Sequence, residues 1–316
     1  MTEPLRLGTR RSTLAVIQAR LVADAVTRAS GRAVELVPMS SAGDESAAPI
    51  ASFGSVGVFV AALREALARG DVDLVVHSYK DLPTEPDPRL RVAAVPIRAD
   101  ERDALVTRDG ASLPEGARVG TGSPRRAAQL LAARPGIEVV PLRGNVDSRL
   151  GRVGELDAVV LAMAGLTRMG LVDHRVTPLP VDELVPAPAQ GALAVECRVD
   201  DAPTHTVLAA VEHEPSRRAV TAERAVLAEL NAGCTAPVGA HAALVAGELR
   251  VTGLAAAEDG SAVLRATECG PPDSAAALGR AVATRLRADG AADLLAAAAV
   301  ADIADPRGVP VTGGSA

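Results

Sequence analysis

Apolar and polar positions alternate between strand-like and helix-like patterns over the first hundred residues. Apolar runs of strand length alternate with stretches whose apolar positions recur at helical spacing. Strands are predicted at residues 5–8, 34–38 and 72–77, and helices at residues 12–29 and 58–69. Ser12 suits the N-cap of the first helix, and Gly70 suits the stop of the second.

A second region with the same alternation starts near residue 103. Its strands are predicted at residues 104–107, 117–121, 137–141 and 157–161, with helices starting at Ser123-Pro124 and at Asn145. A proline-rich passage, residues 178–188, predicts a return crossing before a strand at 192–197. Each region should therefore form a largely parallel sheet with helices on both faces, and such sheets bind ligands at the carboxyl ends of their strands.

The pattern changes from residue 215 onward. A helix to about residue 232, strands at 238–246, 248–257 and 262–269, and Ala-rich helices over 273–300 predict a separate α+β unit. The tail from residue 305 contains Pro, Gly and Ser, which predicts disorder. The predicted fold class is α/β, with two α/β units and a C-terminal α+β unit.

Composition excludes several classes of function. The chain has 316 residues, is 48% hydrophobic and carries a formal net charge of −6, which argues against nucleic acid as the main partner. The first residues lack the apolar core of a signal peptide, and no uncharged stretch is long enough to span a bilayer, so we expect a cytoplasmic protein with no membrane partner. Three separated cysteines and five scattered histidines predict neither disulfides nor a metal site.

Arginines recur at four predicted strand ends, although the chain as a whole is acidic. They occur in Gly8-Thr9-Arg10-Arg11-Ser12, in residues 120–126 with Ser123, Arg125 and Arg126, in residues 141–149 with Arg143 and Arg149, and at Arg168. A single such arginine is usually a surface residue or a salt-bridge partner. A guanidinium group can bind a carboxylate through two parallel hydrogen bonds. This set of arginines therefore predicts a ligand with several carboxylates.

A cation and a carboxylate follow the most apolar predicted strand. Residues 77–83 read His-Ser-Tyr-Lys-Asp-Leu-Pro and contain Lys80, which is the only lysine of the chain, and Asp81. A solvated surface ion pair is the simpler interpretation of Lys80 and Asp81. At the carboxyl end of a buried strand, however, Asp81 could stabilise a developing cation and transfer protons.

Cys234 lies on a loop, between Gly233 and Thr235, that connects a predicted helix to a predicted strand. No nearby pattern indicates a hydrolase dyad, so covalent attachment of a group is as consistent with this loop as turnover. We expect Cys197 and Cys269 to be buried as small apolar residues.

Together these motifs resemble the porphobilinogen deaminase family over residues 5–299, and residues 186–191 and 222–225 resemble further family motifs. The resemblance implies two domains arranged like a periplasmic binding protein around a cleft, and a third domain that carries the cysteine. The implied boundaries are 1–96 with 188–210 for the first domain, 97–187 for the second, 211–304 for the third, and 305–316 for the disordered tail.

The resemblance also implies the chemistry. A dipyrromethane cofactor made from two porphobilinogens would be joined to Cys234 by a thioether. Four further porphobilinogens would add head to tail with loss of ammonia, and hydrolysis would release linear hydroxymethylbilane. Asp81 would be the catalytic residue, and a monomer is implied. The implied cofactor-binding residues are Cys234, Lys80, Asp81, Ser123, Arg125, Arg126, Arg143 and Arg149, and the implied substrate-binding residues are Arg10, Ser12, Phe59, Arg143, Arg149, Arg168 and Gln190.

Three positions depart from the family pattern. Ser52 and Val56 stand where relatives often carry lysines, and Gly122 stands where a serine is frequent. Two other functions stay open at this point: a non-catalytic module that binds a polycarboxylate, and an inactive paralogue of the enzyme.

Overall fold

The computed structural model of the chain describes residues 3–39, 58–233 and 236–296. Ser52, Val56, Cys234 and the tail predicted to be disordered lie outside the described residues, as does the side chain of Phe59. No helix within the described ranges has both the length and the apolar character needed to cross a membrane.

Strands and helices are numbered here in chain order. The strands are β1 (Leu5–Arg10), β2 (Val34–Met39), β3 (Leu74–Ser78), β4 (Leu90–Ala94), β5 (Asp103–Thr107), β6 (Arg118–Thr121), β7 (Glu138–Pro141), β8 (Ala158–Ala162), β9 (Val176–Pro178), β10 (Leu193–Arg198), β11 (Val238–Val245), β12 (Glu248–Ala256) and β13 (Val263–Gly270). The α-helices are α1 (Thr13–Ser30), α2 (Val58–Arg69), α3 (Pro124–Ala133), α4 (Val146–Leu150), α5 (Met163–Arg168), α6 (Ala202–Ala209), α7 (Glu214–Glu229) and α8 (Ala275–Ala288).

Two mixed sheets form the first and second lobes. The first lobe has the strand order β2-β1-β3-β10-β4, and the second has β7-β6-β8-β5-β9. In each sheet one strand runs against the others: β10 in the first and β5 in the second. These are the strands that the chain enters after crossing between the lobes. The expectation of largely parallel α/β sheets is therefore confirmed.

Helix α1 shows how the sequence pattern builds the first lobe. Ala19, Val22 and Val26 recur on one face and pack against Leu7 of β1 and Leu74 of β3. The helix ends at Gly31, whose φ of 72° is the left-handed conformation that favours glycine.

The third unit is an antiparallel sheet of β11, β12 and β13 covered by α7 and α8. Its opposite face packs against the second lobe, where Leu254 and Ala256 contact Ala128 of α3 and Val185. The third unit therefore braces the helix that carries Arg125 and Arg126.

The sequence pattern missed three short elements. Strands β4 and β9 lie at sheet edges, and β9 has only three residues. Helix α6 contains Pro203 and two threonines, which weaken a helical pattern. Strands of only three to five residues are too short to show a clear periodicity.

Candidate active site

The predicted site residues lie where strands of both lobes end. In the first lobe Arg10 ends β1, and Lys80 and Asp81 belong to a 3-10 turn, Tyr79–Asp81, directly after β3. In the second lobe Ser123, Arg125 and Arg126 follow β6, Arg143 and Arg149 follow β7, and Arg168 ends the helix after β8. Because these strands are parallel within each lobe, their ends share one edge of each sheet.

The two edges face one another across a cleft. A Cβ atom on Gly165 of α5 would lie 3.8 Å from Leu14 Cδ2 of α1, so the lobes touch beside the site. Burial lowers the pKa of Arg149, with a further lowering by Arg126, while Asp81 of the opposite lobe acts to raise it. The charges of Asp81 and Arg149 therefore interact across the cleft.

Ser12 and Ser123 occupy the N-cap positions of α1 and α3, as predicted. Both have extended backbone, but neither hydroxyl makes a capping hydrogen bond within the described part of the chain. The hydroxyls and the helix N-termini thus offer donors to an anion in the cleft.

Lys80 is half-buried and contacts the return crossing between the lobes. Its Nζ lies 3.2 Å from Oε1 of Gln190, which is fully buried. Burial, together with the nearby Arg126 guanidinium, lowers the pKa of Lys80 to about 8. Asp81, the next residue, is exposed to the cleft.

Arg224 of α7 holds the turn that carries Lys80 and Asp81. Its guanidinium lies 4.6 Å from the Tyr79 ring centroid and donates to the Leu82 carbonyl at 3.0 Å and the Pro83 carbonyl at 2.5 Å. The guanidinium also donates to the Tyr79 carbonyl at 3.3 Å. Through the cation–π contact and these three main-chain hydrogen bonds, a residue of the third unit holds the turn in place.

Asp103 is a buried carboxylate at the start of β5 and binds both arginines of α3. Its Oδ1 accepts hydrogen bonds from Arg126 Nε at 2.9 Å and Nη2 at 2.6 Å, and its Oδ2 accepts one from Arg125 Nη2 at 2.8 Å. Gln190 Nε2 donates to the same Oδ1 at 2.9 Å. These cations hold the pKa of Asp103 far below its usual range despite the opposing effect of burial.

Three other cleft arginines, Arg143, Arg149 and Arg168, form no ion pair with a carboxylate among the described residues. Burial lowers the pKa of Arg168 to about 10, and its Nη2 donates to the Gly191 carbonyl at 2.6 Å. The buried Nε of Arg149 has no hydrogen-bond partner among the described residues, and Arg143 is exposed. Partly buried cations without a counter-ion are costly, so the cleft is suited to an anionic ligand.

Glu223 of α7 joins the third unit to both crossings between the lobes. Its carboxylate accepts a bidentate pair from Arg98 at 2.7 and 2.9 Å and is fully buried. It also accepts from the main-chain N–H groups of Ala189 at 2.7 Å and Ala242 at 2.8 Å. Arg98 lies on the first crossing and Ala189 on the second.

The cysteines differ from expectation in one case. Cys197 is buried, as predicted, and burial raises its pKa to about 11. The prediction that Cys269 is buried is wrong, because it lies on the exposed side of the edge strand β13, as does Thr267. The residues flanking Cys234 and Thr235 are joined by a hydrogen bond from Ala236 N–H to the Gly233 carbonyl at 3.1 Å.

Gly122 has a steric reason to lack a side chain. A Cβ atom there would clash with the carbonyl oxygen of Leu142. The serine frequent in relatives would therefore require the backbone to shift. No group of His, Cys, Asp and Glu able to hold a metal ion occurs in the described ranges.

Sequence reasoning missed Asp103, Arg98 and the supporting role of Arg224. A signal for Asp103 exists: a carboxylate that opens an otherwise apolar strand, Asp-Ala-Leu-Val-Thr, requires buried partners. Nothing local to the sequence indicates which arginines those partners are.

Comparison with protein-family models gives two matches. Residues 5–206 match the model described as porphobilinogen deaminase, dipyromethane cofactor binding domain, and residues 217–288 match porphobilinogen deaminase, C-terminal domain. Among solved structures, the methionine binding protein MetQ superposes with a TM-score of 0.43 at 13% identity, covering 66% of this chain and 89% of that one. A periplasmic substrate-binding protein of an ABC transporter from Coxiella burnetii also gives 0.43, at 17% identity, with 69% and 94% covered.

Curated relatives match along nearly the whole chain. The porphobilinogen deaminase of Nocardia farcinica is 56% identical over 306 residues, covering 92% of this chain and 88% of the relative. That of Mycobacteroides abscessus is 55% identical over 305 residues, covering 92% and 99%. With both family models and these relatives in agreement, the chain belongs to the porphobilinogen deaminase family.

Proposed function

We propose that the chain is a hydroxymethylbilane synthase, which joins four porphobilinogen molecules head to tail with loss of ammonia and releases linear hydroxymethylbilane by hydrolysis. The observation that carries this proposal is the burial of two cleft cations, Arg149 and Arg168, neither of which forms an ion pair with a carboxylate among the described residues, in a chain of this family. A substrate with two carboxylates, and a product with many, would supply the missing negative charge.

The residues of the cleft fit the dipyrromethane cofactor of the family. The buried Nε of Arg149, which lacks a partner among the described residues, is a donor suited to a cofactor carboxylate. Lys80, Ser123, Arg143 and Arg149 would hold the acetate and propionate groups, with Cys234 as the thioether anchor. When bound, the cofactor supplies the pyrrole to which the first substrate is joined.

Arg125 and Arg126 act on the cofactor through their charge. Their side chains are 4% and 5% exposed, and most of their donors are directed to Asp103 and to the main-chain carbonyls of Val185 and Val160. The buried Nε of Arg125 has no partner among the described residues. Their positive field would still favour the carboxylate groups bound by neighbouring residues.

Asp81 is the catalytic carboxylate in this proposal. It is exposed to the cleft at the end of β3 and faces Arg149, so it can approach a pyrrole N–H and stabilise positive charge that develops on the ring. Arg10, Ser12, Phe59, Arg143, Arg149 and Arg168 would bind the incoming substrate. Gln190 is fully buried and its amide is occupied, so we assign it to the support of Lys80 rather than to substrate contact.

We also propose the three domains with the borders given above, a monomer, and a cytoplasmic location. The three separate sheets support the partition into domains. A reducing compartment suits an anchor that must react as a thiol, because the thiolate is the nucleophilic form of cysteine.

The decisive experiment is the intact mass of the denatured protein, for wild type and Cys234→Ala. A thioether survives unfolding, so wild type should carry the added mass of one dipyrromethane and the variant none. Cys269→Ala removes an exposed thiol elsewhere and is the matched control, which should keep the adduct. A bare wild-type mass, followed by failure to load the protein with porphobilinogen, would instead favour a binding module or an inactive paralogue.

A further inference from the structure

Asp103 is a fully buried carboxylate whose side-chain partners all belong to the candidate active site. Its two oxygens accept hydrogen bonds from Arg125, Arg126 and Gln190, at distances between 2.6 and 2.9 Å. Neither the cofactor roles nor the substrate roles proposed above include Asp103. Its side chain is fully buried at the start of β5.

Asp103 keeps two adjacent guanidinium groups together. Arg125 and Arg126 are neighbours in α3 and would repel each other in a buried site without an intervening carboxylate. One carboxylate shared by two guanidinium groups still leaves a net positive charge, so Asp103 orients the pair without cancelling its attraction for anions.

Asp103 also determines which way the Gln190 amide points. Gln190 Nε2 donates both to Asp103 Oδ1 at 2.9 Å and to the Glu101 carbonyl at 2.8 Å. A flipped amide would direct its oxygen at these two acceptors, which is unfavourable in a buried site. The amide oxygen must therefore face Lys80 Nζ, 3.2 Å away.

We propose that Asp103 is a positioning residue, which orients Arg125 and Arg126 directly and the ammonium of Lys80 through Gln190, so that carboxylates entering the cleft meet a fixed set of cations. The inference rests on the proposed function. It assigns to Asp103, a residue of the second lobe, the positioning of Lys80 in the first lobe.

The single lysine of the chain makes this network directly measurable. In full-length holoenzyme labelled with 13Cε-lysine, NMR should show one lysine Cε resonance, and its titration reports the Lys80 ammonium alone. Among the described residues, the charged groups around Lys80 include Asp81 on its own turn, Asp103 on β5, and Arg125 and Arg126 on α3. The readout is the difference between the Lys80 midpoint of wild type and that of each variant, measured in the same holoenzyme state.

Asp103→Asn should move the Lys80 midpoint downward. The substitution removes a negative charge that favours the ammonium and leaves Arg126 unopposed. Glu196→Gln is the matched control: Glu196 is an equally buried carboxylate, paired with Arg64 at 2.7 Å in the first lobe, and its loss should leave the midpoint unchanged. If Asp103→Asn is folded and its midpoint equals that of wild type, the inference is wrong.

Kinetics provide the second readout. With its cations misplaced, Asp103→Asn should lose about 10²-fold in kcat/KM for porphobilinogen, while Glu196→Gln at matched stability keeps the wild-type value. If Asp103→Asn does not fold, Gln190→Met removes the bridge to Lys80 and should also lower the midpoint. An unchanged midpoint in that variant would overturn the inference.

The two proposals can fail separately. The titration needs no turnover. If the Lys80 midpoint falls in Asp103→Asn as expected but wild type makes no hydroxymethylbilane, the proposed function alone would be contradicted. An active wild type whose Lys80 titration ignores Asp103 would contradict this inference alone.

Discussion

Burial is the main cause of the pKa shifts of two cationic residues in the cleft. Lys80 and Arg168 have pKa values lowered to about 8 and about 10, in both cases chiefly because the side chain is removed from water. Both remain cationic at neutral pH. An entering carboxylate therefore relieves an unfavourable charge on the protein as well as gaining its own contact, which favours ligands with several carboxylates.

Removing the charge of Asp81 should separate binding from turnover. We expect Asp81→Asn to keep the wild-type unfolding midpoint, because the side chain is exposed, and to lose about 10²–10⁴-fold in kcat through loss of charge stabilisation and proton transfer. Steady-state assays of hydroxymethylbilane formation measure the loss. Asp24→Asn, an exposed carboxylate of α1, is the matched control. Wild-type kcat in Asp81→Asn would remove Asp81 from the mechanism.

Site residues that directly follow an apolar strand could be predicted from the sequence. Residues whose role depends on partners far away in the sequence could not. Lys80, Asp81 and the arginines stand directly after apolar strands, so their meeting at the sheet edges follows from strand direction. Asp103 is different, because its partners are 22 to 87 residues away in sequence. The commitment of Arg125 and Arg126 to Asp103 could therefore be seen only in the folded structure.

At the scale of elements, the strand-helix order was predictable because both lobes alternate apolar strands with amphipathic helices. The reversed strands β5 and β10 were not predictable, since strand direction within a sheet depends on the crossings between the lobes. The third unit depends on close contact between helices. Gly279 of α8 faces α7, where a Cβ atom would clash with the Ala222 carbonyl and lie 2.8 Å from Ala225 Cβ.

A methyl group at this helix contact should destabilise the third unit. Gly279→Ala should lower the free energy of unfolding by about 1–3 kcal/mol, because overpacking outweighs the gain in helix propensity. Gly151→Ala is the matched control: its backbone is helical and a Cβ there has its nearest neighbours at 3.6 Å, so it should be neutral or stabilising. Urea denaturation followed by circular dichroism compares the two. Equal stability of both variants would contradict the close-packing account.

At the scale of the whole molecule, the hydrogen bonds of Glu223 connect the third unit to both crossings between the lobes. Glu223→Gln should lower the free energy of unfolding by about 3–5 kcal/mol, because it removes the hydrogen-bonded ion-pair partner of Arg98, whose side chain is only 9% exposed. Glu155→Gln breaks the exposed pair with Arg152 and should change stability by less than about 1 kcal/mol. Denaturant unfolding measures both. A loss in Glu223→Gln no larger than in the control would show that the pair does not hold the units together.

The attachment of Glu223 to both crossings has a consequence for how the molecule can deform. Two lobes joined only by two crossings would keep an independent hinge rotation. Here the first crossing, through Arg98, and the second, through Ala189, are fastened to one carboxylate of the unit that carries Cys234. A hinge rotation that moved the lobes apart would therefore have to carry the third unit with it or break hydrogen bonds of Glu223.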